Sequence, residues 1–328
     1  MTTLMATAST TATLALTRAE ALAVDQIADA LLPVAGGRID DGSWQDMAAL
    51  RCHDLPLGLR RRLAAYRRDP GITGVLLIRS LPVDESLLPD TPAISGSAQR
   101  TATVPAAALM LVTQALGFPI AFRAEKNGAM VHDVVPVPGS EEFQGNEGSA
   151  PLTFHNENAF HDHRPDHVLL ICLRADHDQT AGLRTASIRQ AYLTLAGEYR
   201  TILRRPEFVT SPPPSFGAAA SEVRCHAVLS GAADDPDVLV DFSATRALTS
   251  EAALAMDELR SRFAEQAQTH YLRPGDLAIV DNRVTVHGRT AFTPRYDGRD
   301  RWLQRTFAVQ DLRRSRADRT ADGHVLEC

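Results

Sequence analysis

From about residue 129 the chain breaks into short aliphatic runs: MVHDVVPV, HVLLICLR, EVRCHAVL, DVLVDFSA, DLAIVDNRVTVHG and RWLQRTFAV. Pro, Gly and Asp turns separate them. Apolar runs of this length, bounded by turn residues, are strands. Many short strands in succession close into a β-sandwich or jelly roll. Two longer stretches, SIRQAYLTLAGEYRTILRR and TSEAALAMDELRSRFAEQAQ, have helical spacing and would pack outside it. The expected class is α+β, with the jelly-roll core over about 126–312.

The part before it, about 17–125, reads as mainly helical. TRAEALAVDQIADALL places apolar residues at helical spacing, with Thr17 as N-cap and Glu20 three residues on. LGLRRRLAAYRR is a second helix, GVLLIRSLP a buried strand, and VPAAALMLVTQALG a helix stopped by Gly117. Residues 1–16, rich in small side chains and without a positive charge before Arg18, read as a mobile arm. The expectation is a single domain over 17–328. No apolar run is long enough to span a bilayer, and the four cysteines form no Cys-x-x-Cys pair, so a cytoplasmic protein is expected. The Pro/Ala/Ser-rich segment Thr210 to Glu222 reads as a loop, either a lid or plain surface.

Composition narrows the chemistry. Net charge is −6 with both signs mixed along the chain, which speaks against a nucleic-acid or anionic-membrane partner. Lys126 is the single lysine, so Schiff-base chemistry has one candidate. Neither a Gly-x4-Gly-Lys-Ser/Thr loop nor a Gly-x-Gly-x-x-Gly turn follows a strand, which leaves nucleotide folds without support.

The stretch FHNENAFHDHRPDH, Phe154 to His167, holds four of the eleven histidines and three acids. In an extended segment residues i and i+2 point to the same side, so a His-x-Asp/Glu pair offers two ligands to one ion. With a distant histidine they make the facial triad of non-haem Fe(II) enzymes. Of the eleven histidines only His155, in His155-Asn156-Glu157, begins such a pair. Chance alone supplies one at this composition, so the pair needs a partner segment. RPGDLAIVDNRVTVHGR provides it: a turn, an apolar strand, Asp-Asn, and a second strand carrying His287. Fourteen residues later another strand begins, in which Arg301, Leu303, Arg305 and Phe307 share the face opposite Trp302. Two guanidinium groups turned the same way suit carboxylates, which arginine binds bidentately.

Together HNENAFHDHRPDHVLLICLR and GDLAIVDNRVTVHGR…YDGRDRWLQR resemble the Fe(II)/2-oxoglutarate-dependent oxygenases. Within them the likeness is to the clavaminate-synthase-like branch that hydroxylates free amino acids, from about residue 100 onward. The resemblance implies a double-stranded β-helix, jelly-roll and cupin-like, with flanking helices. It implies Fe(II), 2-oxoglutarate and O2, and a small-molecule amino-acid substrate with no protein partner required. It assigns His155, Glu157 and His287 to iron, and Arg301 to the distal carboxylate of 2-oxoglutarate. Thr185, in GLRTAS, goes to the same cosubstrate, and Arg305 to the substrate α-carboxylate. Glu157 stands where the wider superfamily more often has aspartate, a departure this branch tolerates. His161, His163 and His167 in HDHRPDH approach the His-x-His-x-Asp-His string of zinc hydrolases, with one residue too many before Asp-His; they read as bystanders.

A free amino acid also needs an acid for its ammonium, and Glu125 in FRAEKNG is the candidate. For the side chain the candidates are Asn146 in FQGNEG and Asp241 in VLVDFS. An ionised carboxylate accepts hydrogen bonds only, so Asp241 suits an amide NH2 or a guanidinium, while Asn146 can donate to an amide oxygen. The pair fits asparagine, and the resemblance extends to asparagine β-hydroxylases that supply nonribosomal peptide synthesis. Arginine or another polar free amino acid is the rival substrate. From other classes, a zinc-dependent hydrolase and a jelly-roll binding protein that has lost turnover remain as alternatives.

Overall fold

In the computed structural model, which describes residues 10–216 and 224–327, two sheets face one cavity. The larger runs, in spatial order, Ala12–Ala15, Val75–Arg79, Leu277–Asp281, His167–Arg174, Trp302–Val309, Phe118–Phe122 and Val325–Leu326. His132–Val134 also pairs with Trp302–Val309. The smaller runs Gln268–His270, Leu183–Ser187, Thr285–Arg289 and Leu152–His155. Pairing is antiparallel except at Ala12–Ala15 and Val325–Leu326, which join parallel to their neighbours. This is the jelly roll that the turn-punctuated runs predict.

The large sheet is buried on both faces, which explains why its strands read as unbroken apolar runs. In His167–Arg174, Leu169, Ile171 and Leu173 pack against the N-terminal helices, while Val168, Leu170 and Cys172 face the interior of the roll. The same alternation splits Leu76 and Ile78 from Val75 and Leu77. Helix Arg18–Asp29 opens with the expected capping box: Thr17 Oγ1 accepts from Glu20 N, and Glu20 Oε2 accepts from Thr17 N. Helix Val104–Leu116 is buried nearly all round and stops at Gly117. Leu57–Arg68 and Ser250–Gln266 also form as expected. Helix Gly42–Arg51, capped by Asp41, was not anticipated.

Several expectations need correction. The segment read as a mobile arm to residue 16 contains the strand Ala12–Ala15, held because Leu16 and Leu14 reach the helical core. The sheets are not confined to 126–312, since Ala12–Ala15, Val75–Arg79 and Phe118–Phe122 precede that span and Val325–Leu326 follows it. The stretch from Ser187 to Arg205 is two helices, Ile188–Thr194 and Gly197–Ile202, because Leu195 and Ala196 are extended between them. Among the described residues of EVRCHAVL, 224–229, Leu229 alone enters a strand, while His226 makes an isolated bridge to Phe208. Residues 217–222 of the expected Pro-rich loop lie outside the described residues; before them, Phe208–Thr210 is a strand paired with Thr245–Ala247. Among the described residues no helix is long and apolar enough to cross a membrane.

Candidate metal centre

The chain changes sheets at Asn282. Leu277–Asp281 belongs to the large sheet and Thr285–Arg289 to the small one, so the corner sets where His287 emerges. Asn282 is fully buried, and its side chain closes the corner onto the other motif. Its Oδ1 accepts from Glu157 N at 2.8 Å, and its Nδ2 donates to the carbonyls of Glu157 at 3.0 Å and Pro165 at 2.9 Å. Asn156, whose side chain points away from its two neighbours, donates to the carbonyls of Asn282 and Thr285 and accepts from Val240 N. Two buried amides thus lock the His-x-Glu segment to the His287 strand.

That lock brings three side chains together. Ligand atoms of His155, Glu157 and His287 all lie within 4.8 Å of one another. His155 Nδ1 donates to Thr153 O at 2.9 Å, which fixes the tautomer and leaves the Nε2 lone pair for an ion. Glu157 Oε2 is buried without a hydrogen-bond partner and lies 3.6 Å from His287 Nε2. Burial, then the neighbouring His155, keeps His287 below its ordinary pKa and so neutral, as a ligand must be. Burial opposes ionisation of Glu157, but Arg305 and His287 outweigh it and hold the carboxyl well below its ordinary value. An orphaned carboxylate oxygen beside two imidazoles is a fitting donor set for a divalent ion, and the two-His-one-carboxylate composition suits non-haem Fe(II).

His161, His163 and His167 stay apart from this group. His161 packs edge-on against Phe122, His163 Nε2 meets Asp318 Oδ2 at 2.7 Å, and His167 lies against Tyr66. A second group, His177, Asp297 and Asp300, comes equally close, but the Oδ1 atoms of both acids accept backbone N–H groups and the site is partly exposed.

A cavity opens beside these three side chains. Arg301, Leu303 and Arg305 line it from one face of the large sheet, as their alternation predicts. Arg305 is buried between acids. Its Nη1 donates to Glu157 Oε1 at 2.9 Å and to Asn146 Oδ1 at 3.2 Å, and its Nη2 donates to Glu125 Oε1. Nη2 also meets His132 Nδ1 at 3.0 Å, while His132 Nε2 faces Ala129 O. A carbonyl can only accept, so His132 carries its proton on Nε2 and presents a lone pair to Arg305. Burial works against the charge on Glu125, yet Arg305 keeps its carboxyl below the ordinary value.

The remaining candidates divide. Asn146 lines the cavity. Asp241 forms an isolated bridge with His155, so both side chains leave the same face, and Asp241 Oδ1 accepts from Ser243 N and Oγ. Thr185 lies opposite His287 in register, but its hydroxyl is 2.9 Å from His270 Nε2 and it is not in the cavity wall. Arg289, to which the sequence reading gave no role, is in that wall. It lies two residues beyond His287 in the same strand, so period-two alternation carried the signal. Arg301 and Arg289 form no ion pair with a carboxylate among the described residues, and burial lowers the pKa of both, Arg289 to about 9.

Comparison with known proteins agrees with this geometry. The chain is 56% identical over 311 residues to the L-asparagine oxygenase of Streptomyces coelicolor, covering 95% of this chain and 93% of that one. It is 36% identical to the L-lysine 3-hydroxylase of Catenulispora acidiphila, over 96% of this chain and 88% of the other. A crystal structure of asparagine oxygenase in complex with Fe(II), 2S,3S-3-hydroxyasparagine and succinate superposes with a TM-score of 0.94 at 55% identity, over 96% of this chain and 99% of that one. With the sequence profile of the taurine catabolism dioxygenases TauD and TfdA matching residues 73–307, the chain belongs to the TauD/TfdA family.

Proposed function

We propose that this chain hydroxylates free L-asparagine at C3, consuming 2-oxoglutarate and O2 at an Fe(II) centre and releasing succinate and CO2. The observation that carries the reading is the cavity, which joins the His155, Glu157 and His287 cluster to an Arg305–Glu125 ion pair. When bound, iron and 2-oxoglutarate together supply the oxidising power that replaces C–H by C–OH.

The chain's own residues bind and aim. His155 Nε2, Glu157 and His287 hold the ion; Arg301 takes the distal carboxylate of 2-oxoglutarate. Thr185 is assigned to the same carboxylate on the family resemblance, its hydroxyl lying behind the cavity wall against His270 Nε2. The substrate is a zwitterion, and it enters between charges that satisfy each other in its absence. Its α-carboxylate replaces Glu125 on Arg305, and its ammonium replaces Arg305 on Glu125, so no buried charge is left alone. Asp241 accepts from the side-chain amide NH2 and Asn146 donates to the amide oxygen, which favours asparagine over aspartate. Likeness to the Streptomyces coelicolor L-asparagine oxygenase supports the same substrate, and the proposal, resting on the sequence resemblance, extends to supply of 3-hydroxyasparagine for nonribosomal peptide synthesis.

We read residues 17–328 as one catalytic unit, since one apolar cluster joins the N-terminal helices to the large sheet. A cytoplasmic setting accords with Cys52, Cys172 and Cys225 being free thiols.

The test is protein reconstituted anaerobically with Fe(II) and 2-oxoglutarate, then exposed to air with each of the twenty free amino acids. Succinate with a singly hydroxylated asparagine is expected. Turnover of arginine instead overturns the substrate assignment; no succinate with any amino acid overturns the oxygenase reading.

A further inference from the structure

Arg289 is 4% exposed and sits at the junction of three features. Its Nη1 donates to Gly145 O at 3.2 Å and its Nη2 to Ala150 O at 3.0 Å, which pins both ends of the loop carrying Asn146. Its Nε is buried without a hydrogen-bond partner. Its guanidinium shares the Phe292 ring with that of Arg301, at 5.5 and 5.7 Å from the centroid. Two buried cations side by side repel, and a buried charge without a counter-charge is costly. Arg305 pairs with two acids, whereas neither Arg289 nor Arg301 forms an ion pair with a carboxylate among the described residues. The imbalance calls for an anion beside Arg289 and Arg301.

We propose that Arg289 is a positioning residue joining the two halves of the site: with Arg301 it receives the distal carboxylate of 2-oxoglutarate, and through Nη1 and Nη2 it fixes the loop that presents Asn146 to the amino acid. The inference rests on the proposed function. Because one side chain serves both, cosubstrate binding and loop order are coupled, and each ligand strengthens the binding of the other.

The test compares wild type with Arg289→Gln and Arg289→Lys. Three readouts are used: calorimetric binding of 2-oxoglutarate to anaerobic Fe(II) protein, amide hydrogen exchange over 144–151, and kcat and KM for asparagine. Loss of a charged hydrogen bond predicts a 2-oxoglutarate affinity roughly 10- to 100-fold weaker in Arg289→Gln, with faster exchange in the loop. Lysine keeps the charge but lacks the fork. Arg289→Lys therefore recovers most of the cosubstrate affinity while the loop stays loose and the asparagine KM stays high. Wild-type affinity and exchange in Arg289→Gln overturn the inference, as does an Arg289→Lys that recovers no affinity. Should Arg289→Gln fail to fold, Arg289→Lys decides alone: faster loop exchange at an unchanged melting temperature supports the inference, and unchanged exchange overturns it. If wild type binds no 2-oxoglutarate, the proposed function itself fails; if wild type binds and turns over while the variants match it, only the role of Arg289 fails.

Discussion

His287 and His155 stand opposite each other in register on adjacent strands of the small sheet, with ring centroids 4.4 Å apart. The register also brings Glu157, two residues beyond His155, within 4.8 Å of both rings' ligand atoms, so one strand pairing sets all three proposed ligands. Replacing His287 with Ala removes a ligand without touching the ladder, and should abolish Fe(II)-dependent turnover while the protein stays folded. Replacing His163 with Ala breaks its contacts with Asp318 and the His161 ring, neither of them in the proposed ligand set, and should leave most activity. Succinate release and far-UV circular dichroism of both variants check this; equal damage from the two would contradict the ligand assignment.

Gly288 lies between the ligand and Arg289, where the two strands come close. A Cβ there would sit 2.5 Å from Leu152 O and 3.2 Å from Thr153 O, both backbone atoms that cannot move without shifting His155. Gly288→Ala should destabilise the fold by about 1–3 kcal/mol and weaken Fe(II) binding. Urea unfolding and anaerobic metal titration read the two effects, and a variant of wild-type stability would argue against so tight a pairing.

Asn282→Ala strips Glu157 of both backbone partners at once. Each buried group left unsatisfied costs about 1–3 kcal/mol, and loss of such outer support lowers metal affinity roughly 10- to 100-fold. Metal titration of the folded variant checks this. Unchanged affinity would mean that Glu157 is held by its own packing.

The native pKa of His270 is pushed down to about 4, by burial first and by Arg79 second, from an ordinary 6.5. Between these values the unfolded chain binds the extra proton, so stability from this group is present above pH 6.5 and is lost as pH falls through about 4. The loss amounts to about 3 kcal/mol at most. Melting temperatures of His270→Asn should fall less steeply across that window than those of wild type. Parallel curves would show that His270 does not titrate in the fold.

What the sequence disclosed was local. Period-two geometry paired His155 with Glu157 and put Arg301 and Arg305 on one face, while the roles proposed for them and for His287 came from the family resemblance. Distant pairing was hidden. His132 meets Arg305 only because His132–Val134 pairs with Trp302–Val309 in that register, and nothing in MVHDVV announces it. Asn156 and Asn282 look like ordinary polar residues until their amides are seen bridging the two motifs. Arg289 could have been placed on the site face by counting from His287, but its orphaned Nε exists only in three dimensions. Residues 12–15 look like part of a disordered arm because their strand depends on Val75–Arg79, some sixty residues away.

The most direct test of the central claim is product stoichiometry in protein loaded with Fe(II) or, separately, with Zn(II), given 2-oxoglutarate, asparagine and O2. The account predicts 3-hydroxyasparagine and succinate in equal amounts with Fe(II), and neither with Zn(II). Activity supported by zinc, or succinate with Fe(II) but no hydroxylated asparagine, would contradict it.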